Sequence, residues 1–167
     1  MSLELFDIVD SKDNVVGTTD KKTAHTEGQL HRVAAVFVFN EAGELYVQQH
    51  PRDGKWDHSV GGHVSKGETY AEAAVREAEE ELGITQPLEE LATSLSGEEY
   101  PHEHHLFGLY SCIAEPSWEF KPNEEVKVIF PMALAAIRQA MLDEPEDRFT
   151  RGFRITLAEY DRLQNLK

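Results

Sequence analysis

At 167 residues the chain is long enough for one domain that buries most of its apolar surface without disulfides or a structural metal, and its single cysteine leaves no internal disulfide. With 16 Lys and Arg against 31 Asp and Glu, the formal net charge of -15 excludes general binding to nucleic acid or to an anionic membrane, because phosphate backbones are held by clustered cations. No apolar run is long enough to span a bilayer and no signal peptide is visible, so a cytoplasmic protein is expected.

In chain order, residues 3–10 read as a first strand, 11–14 as a polar turn and 15–18 as a second strand. Residues 33–39 form a buried apolar strand, 40–43 a turn, and 45–49 its hairpin partner. Residues 62–68, Gly-His-Val-Ser-Lys-Gly-Glu, read as a glycine-rich turn leading into a helix from about 70 to 82. Thr69 and Glu72 make a capping box at its start, and Gly83 supplies a stop. Further strands are expected over 91–95, 105–113 and 126–130, and helices over 132–142 and 157–166. Cys112 falls in the strand 105–113 and reads as a packing residue rather than a nucleophile. No repeat or low-complexity linker interrupts the chain, so residues 1–167 are expected to form one α/β (α+β) domain with a mixed sheet.

On the 70–82 helix, Ala71, Ala74, Val75, Ala78 and Leu82 recur at three- and four-residue spacing and would face a core. Glu77, Glu80 and Glu81 fall at i, i+3 and i+4, so three carboxylates share one side. Like charges at this spacing cost a few tenths of a kcal/mol per pair, which a hard cation such as Mg2+ or Mn2+ would turn into a binding site. Arg76 lies one turn from both Glu72 and Glu80 and would hold a glutamate in position. Glu79 points elsewhere on the wheel.

These residues carry a resemblance. Gly62, Glu68, Arg76, Glu77, Glu80, Glu81 and Gly83, with aliphatic positions at Ala78 and Ile84, resemble the Nudix box over 62–84. Seven fixed positions would coincide by chance about once in ten million windows or fewer, somewhat more often in a Glu-rich chain. The resemblance implies an alpha/beta/alpha sandwich with about 1–30 as an N-terminal extension and 131–167 as C-terminal helices. It further implies a metal-dependent hydrolase cleaving the diphosphate of a nucleoside diphosphate-type or related small molecule, acting as monomer or homodimer. Carried onto this chain, Glu77, Glu80 and Glu81 would ligate Mg2+ or Mn2+ or activate water, the Gly62 carbonyl would be a further ligand, and Arg76 would orient a carboxylate. Glu124 or Glu125, in a region where such enzymes place an extra glutamate, would supply a late-loop base; a solvated loop is the alternative. Arg52, Lys55 and Lys66 near the box are candidates for meeting phosphate, and Trp56 or Tyr100 for stacking on a base. Each reads equally as surface charge or core packing.

A second resemblance covers about residues 5–160. His25-Thr26, Leu30 to Val33, and Trp56-Asp57-His58-Ser59-Val60-Gly61-Gly62-His63 look like the Nudix branch related to type I isopentenyl diphosphate isomerase. In those isomerases a Ser-x-Cys-Gly-His stretch carries the catalytic cysteine, and here Gly61 occupies that place. His25, His31 and His63, with Glu103, match positions that bind a second metal there, and imidazoles beside carboxylates would suit Mn2+ or Zn2+. His102 to His105 alternate before the 105–113 strand, as pocket residues or as a wet strand end. The missing cysteine and the intact box favour hydrolase over isomerase, and the intact box also favours hydrolase over a nucleotide sensor without turnover.

Overall fold

A computed structural model describes residues 4–50, 53–97, 104–143 and 148–166. The strands β1 (Leu5–Val9) and β2 (Val15–Asp20) form an N-terminal hairpin, which α1 (Lys21–Glu27) follows directly. This short helix lies where no element is expected from hydrophobic periodicity, because Ala24 is its one buried side chain. Its punctuation is nevertheless in the chain: Asp20 accepts the Thr23 amide at the N-cap, and Gly28 closes it in the left-handed region.

The central strand is β3 (His31–Phe39), buried almost throughout. Along one edge it pairs antiparallel with β6 (Val60–His63), and along the other it runs parallel to β8 (His105–Ile113), so the sheet is mixed. Gly62 therefore sits inside a strand, not in the 62–68 turn expected from its composition, because it pairs with the buried Ala34 as its neighbour Gly61 pairs with Ala35. The strand β4 (Leu45–Gln49) continues the hairpin from β3 and pairs with β5 (Trp56–Asp57) and β9 (Ile129–Met132). Finally β7 (Glu89–Ser96) covers β8. The 126–130 strand thus begins later than expected, at Ile129, since the amide of Val126 is committed to the Asn123 side chain.

Helices cover both faces of this sheet. Alternation along β3 sends Ala34, Val36 and Val38 to one face, where Tyr70, Ala73, Ala74, Ala78 and Leu82 of α2 (Tyr70–Leu82) pack against them. Ala35, Phe37 and Phe39 go to the other, against Ile137 of α3 (Leu134–Asp143) and Phe153 and Leu157 of α4 (Arg151–Gln164). The inward stripe of α2 is rotated from the expected one: Ala73 is buried, whereas Ala71 is exposed and Val75 is 48% exposed. Alanine on several sides of the helix leaves its register undecided, and Tyr70 and Ala73 take the inner face. Helix α4 begins six residues before the expected 157, at the Thr150 N-cap, which accepts the Phe153 amide. Met132 ends β9 opposite Leu45, so α3 begins at Leu134.

Candidate active site

The box folds as a strand, a turn and a helix locked to each other. Thr69 accepts from the Glu72 amide and Glu72 accepts from the Thr69 amide, which fixes the start of α2; Gly83 closes it in the left-handed region. The intervening turn is tied to the N-terminal strand by the Lys66 amide on the Leu5 carbonyl (2.8 Å) and the Gly67 amide on Asp7 Oδ2 (2.8 Å). Lys66 itself extends into solvent from this turn.

Arg76 organises the upper half of the site. Its Nε and Nη2 donate to the two oxygens of Glu68 at 2.9 Å each, Nη1 to Glu77 Oε1 at 2.6 Å and to Glu80 Oε2 at 3.3 Å, and Nη2 to the His63 carbonyl at 3.0 Å. One guanidinium thus joins three box glutamates to the end of β6, as a planar five-donor fork permits. Burial alone would raise the Glu68 pKa, but Arg76 and the Ser65 amide outweigh it and hold the group below the ordinary carboxylate range. Gly62 is required by contact: a Cβ there would lie 2.0 Å from Glu77 Cδ, so the Glu77 carboxylate occupies the space a side chain would take.

Glu77, Glu81 and Glu125 bring one carboxylate oxygen each within 4.8 Å of one another. Glu81 is buried, and burial followed by the charge of Glu77 pushes its pKa up to about 8 against an opposing hydrogen bond from Gln48 Nε2 (3.1 Å). Glu77 is raised by burial too, with Arg76 opposing. Among the described residues Glu80 lies outside this group, its side chain 55% exposed and paired with Arg76. Glu125 comes from the loop between β8 and β9, while its neighbour Glu124 is exposed and outside the cluster. The donor set suits a hard divalent cation: three carboxylates, two raised by burial and mutual repulsion, gain most from a charge placed among them.

A second cluster lies on the opposite face of β6. His25 from α1, His31 from β3, His63 from β6 and His105 from β8 each bring a ring nitrogen within 4.8 Å of the others. His31 and His105 are register partners in the parallel β3/β8 pair. His31 Nδ1 lies 2.7 Å from the Gln29 carbonyl, which only accepts, so Nδ1 carries the proton and Nε2 is the acceptor nitrogen. His25 Nε2 and His63 Nε2 stand 3.1 Å apart, a contact that needs a proton or a cation between them. Burial, Lys21 and the neighbouring imidazoles lower the His63 pKa to about 2, so its ring is neutral. Phe6 stacks on both His31 and His63.

Trp56, Lys55 and Cys112 have other surroundings. Trp56 packs edge-on against Phe130, ring centres 4.7 Å apart, beside the core under α3 and α4. Lys55 is half-buried and its carbonyl accepts from the His50 amide. Arg52, Tyr100, His102 and Glu103 lie outside the described residues. Cys112 lies on β8, its thiol pushed up to about 11 by burial, as befits a packing residue. Gln48, Asn123 and His105 enter these sites without having been expected there. His105 was visible as part of a histidine-rich strand start, but nothing local in the sequence points Gln48 toward Glu81.

Residues 29–153 match the NUDIX domain family. The chain is 30% identical over 159 residues to a protein of Pectobacterium atrosepticum named isopentenyl-diphosphate Delta-isomerase, covering 90% of this chain and 88% of that one. It is 35% identical over 133 residues to an uncharacterized Nudix hydrolase of Yersinia pestis, covering 73% and 69%. The crystal structure of DR0079 from Deinococcus radiodurans superposes with a TM-score of 0.70 at 27% identity, over 84% of this chain and 90% of that one. With the box sequence, the sandwich fold and these relatives together, the chain belongs to the Nudix family as a Nudix hydrolase, in the branch related to isopentenyl diphosphate isomerase.

Proposed function

We propose that this protein hydrolyses the diphosphate linkage of a small molecule of the nucleoside diphosphate type, with Mg2+ or Mn2+ held by Glu77, Glu81 and Glu125. The observation that carries the reading is the convergence of these three carboxylates beneath Arg76 and Gly62. When bound, the cation neutralises phosphate charge, orients the substrate and lowers the pKa of a bound water. The Gly62 carbonyl, on the strand beside Glu77, is a further candidate ligand. Arg76 keeps Glu77 and Glu68 oriented, and Glu80, at the exposed rim, is placed to meet solvent or a second ion. Glu81, raised to about 8 by burial and the charge of Glu77, would serve as a ligand in its deprotonated form. In the reaction a water oxygen bonds to one phosphorus, the bridging P–O bond breaks, and the water proton passes to a box carboxylate. Lys66, exposed on the turn of the box, would meet the substrate phosphates.

The four imidazoles favour a second, nitrogen-ligated ion such as Zn2+ or Mn2+ at His25, His31, His63 and His105. Isomerisation of a prenyl diphosphate is the competing reaction, since the Pectobacterium relative bears that name. Two residues argue against it. Gly61 offers no thiol where the resemblance requires one, and Cys112 is seven positions along β8 from His105, about 23 Å of strand.

Nucleoside diphosphates, nucleotide sugars, dinucleotides, CoA and prenyl diphosphates should be screened with Mg2+ and Mn2+. Phosphate or monophosphate release would be followed together with double-bond migration. Cation-dependent release that falls at least about 100-fold in Glu81→Gln is expected. Double-bond migration without release, or metal binding with no turnover of any class, would defeat the hydrolase reading.

A further inference from the structure

The loop that delivers Glu125 is fastened to the last turn of α2 by two side chains. The end of a helix leaves carbonyls without intrahelical partners. Here Trp118 Nε1 donates to the Leu82 carbonyl at 3.0 Å, and Asn123 Nδ2 donates to the Glu81 carbonyl at 2.7 Å. The two bonds differ in what stands behind them. Asn123 Oδ1 accepts from the Glu125 amide at 2.9 Å and from the Val126 amide at 2.7 Å, while the Asn123 amide donates to the Val126 carbonyl at 3.0 Å. Asn123 is half-buried and Val126 is buried, so water competes weakly for these bonds.

We propose that Asn123 is the positioning residue of the carboxylate cluster: one side-chain amide sets the separation of Glu81 and Glu125 by bonding the main chain of both. From the Glu81 carbonyl to the Glu125 nitrogen the path is two hydrogen bonds joined by the planar amide of Asn123. The Glu81 carboxylate is held separately, by Gln48 Nε2 from β4. Glu81 is therefore fixed at both ends, and Glu125, exposed and otherwise on a loop, has its backbone placed by Asn123. Trp118 anchors the same loop to the same helix end but bonds to neither ligand residue.

The inference rests on reading Glu77, Glu81 and Glu125 as cation ligands, and its test separates the two. Mn2+ is titrated into the full-length protein without substrate and the free ion is read by electron paramagnetic resonance, beside thermal melting. Asn123→Ala should raise the Mn2+ Kd about tenfold or more, the range seen when residues that orient metal ligands are removed. Asn123→Ser keeps an oxygen to close the local turn but cannot reach the Glu81 carbonyl, and should weaken Mn2+ similarly with a smaller loss of Tm. Trp118→Phe should lower Tm while leaving the Mn2+ Kd within about twofold. Wild-type Mn2+ affinity in both Asn123 variants, or equal weakening in Trp118→Phe, overturns the positioning role. If wild type binds no Mn2+ that Glu81→Gln removes, the ligand reading itself falls and the inference with it.

Discussion

Two adjacent residues of one strand, Gly62 and His63, look out on chemically opposite sites. The Gly62 side faces α2 and three crowded carboxylates; the His63 side faces α1 and three further imidazoles. Strand alternation separates them by a single peptide bond. The first set is acidic and hard and keeps its repulsion in check through Arg76 and a proton on Glu81. In the second, burial, Lys21 and the neighbouring imidazoles keep the proton off His63. A sheet one residue thick thus isolates oxygen chemistry from nitrogen chemistry, and Arg76 touches both sides only through the His63 carbonyl.

The carboxylate face is most vulnerable at Gly62 itself. A methyl group at Gly62→Ala would fall 2.0 Å from Glu77 Cδ, so Glu77 must leave its place and the bond to Arg76 Nη1 with it. Diphosphate hydrolysis should drop about 100-fold, the scale on which displacement by an ångström acts on a positioned site. At Gly61 a Cβ meets nothing nearer than His58 Nδ1 at 3.3 Å, so Gly61→Ala should cost far less. Steady-state kinetics on the two alanine variants decide the matter, and equal losses would show that Gly62 matters as backbone rather than as room for Glu77.

The two faces should also titrate in opposite directions. Glu81 is raised from 4.5 to about 8, so its contribution is present below pH 4.5 and is lost as pH rises through 8. His63 is lowered from 6.5 to about 2, so its contribution is present above pH 6.5 and is lost as pH falls toward 2. Between pH 4.5 and 6.5 the two oppose each other; above 6.5 the carboxylate alone remains. Without divalent cations, wild-type Tm should therefore fall from pH 6.5 to 9, by an amount on the order of a few kcal/mol of stability. Glu81→Gln should melt higher than wild type at pH 9 and show no such fall. Melting curves in chelator across this range test it, and a parallel decline in both proteins would remove the assignment to Glu81.

How far the sequence reaches is different on the two faces. The carboxylate face is built from one contiguous motif, so Thr69, Glu72 and Gly83 mark α2 at its observed ends and Arg76 is legible as the organiser of the glutamates. What escapes there is long-range. Glu124 and Glu125 are indistinguishable as letters, and the Asn123 turn selects the second; Gln48 reaches Glu81 only through the pairing of β4 in the sheet. Glu80, equal to Glu81 by helical spacing, stays at the rim because α2 packs with Ala73 inward. On the imidazole face His25, His31 and His63 come from three elements and were legible by resemblance alone. The fourth, His105, depends on the β3/β8 register, a parallel pairing between residues 74 positions apart that local patterns do not encode.

That assembly from distant elements makes His63 the residue on which the separation of the two faces can be measured with the smallest disturbance. His63→Ala removes one of four ring nitrogens and the stacking on Phe6, yet it leaves the carbonyl that accepts from Arg76 Nη2. Arg76 should therefore stay in place, with Glu68 and Glu77 on its other donors. Zn2+ bound per chain, measured by elemental analysis after dialysis, should fall, while Mn2+-dependent hydrolysis changes by less than about threefold, as expected of sites that share no side chain. Unchanged Zn2+ content would remove the imidazole site. A loss of hydrolysis as large as that of Gly62→Ala would show instead that the two faces act as one centre, joined through β6.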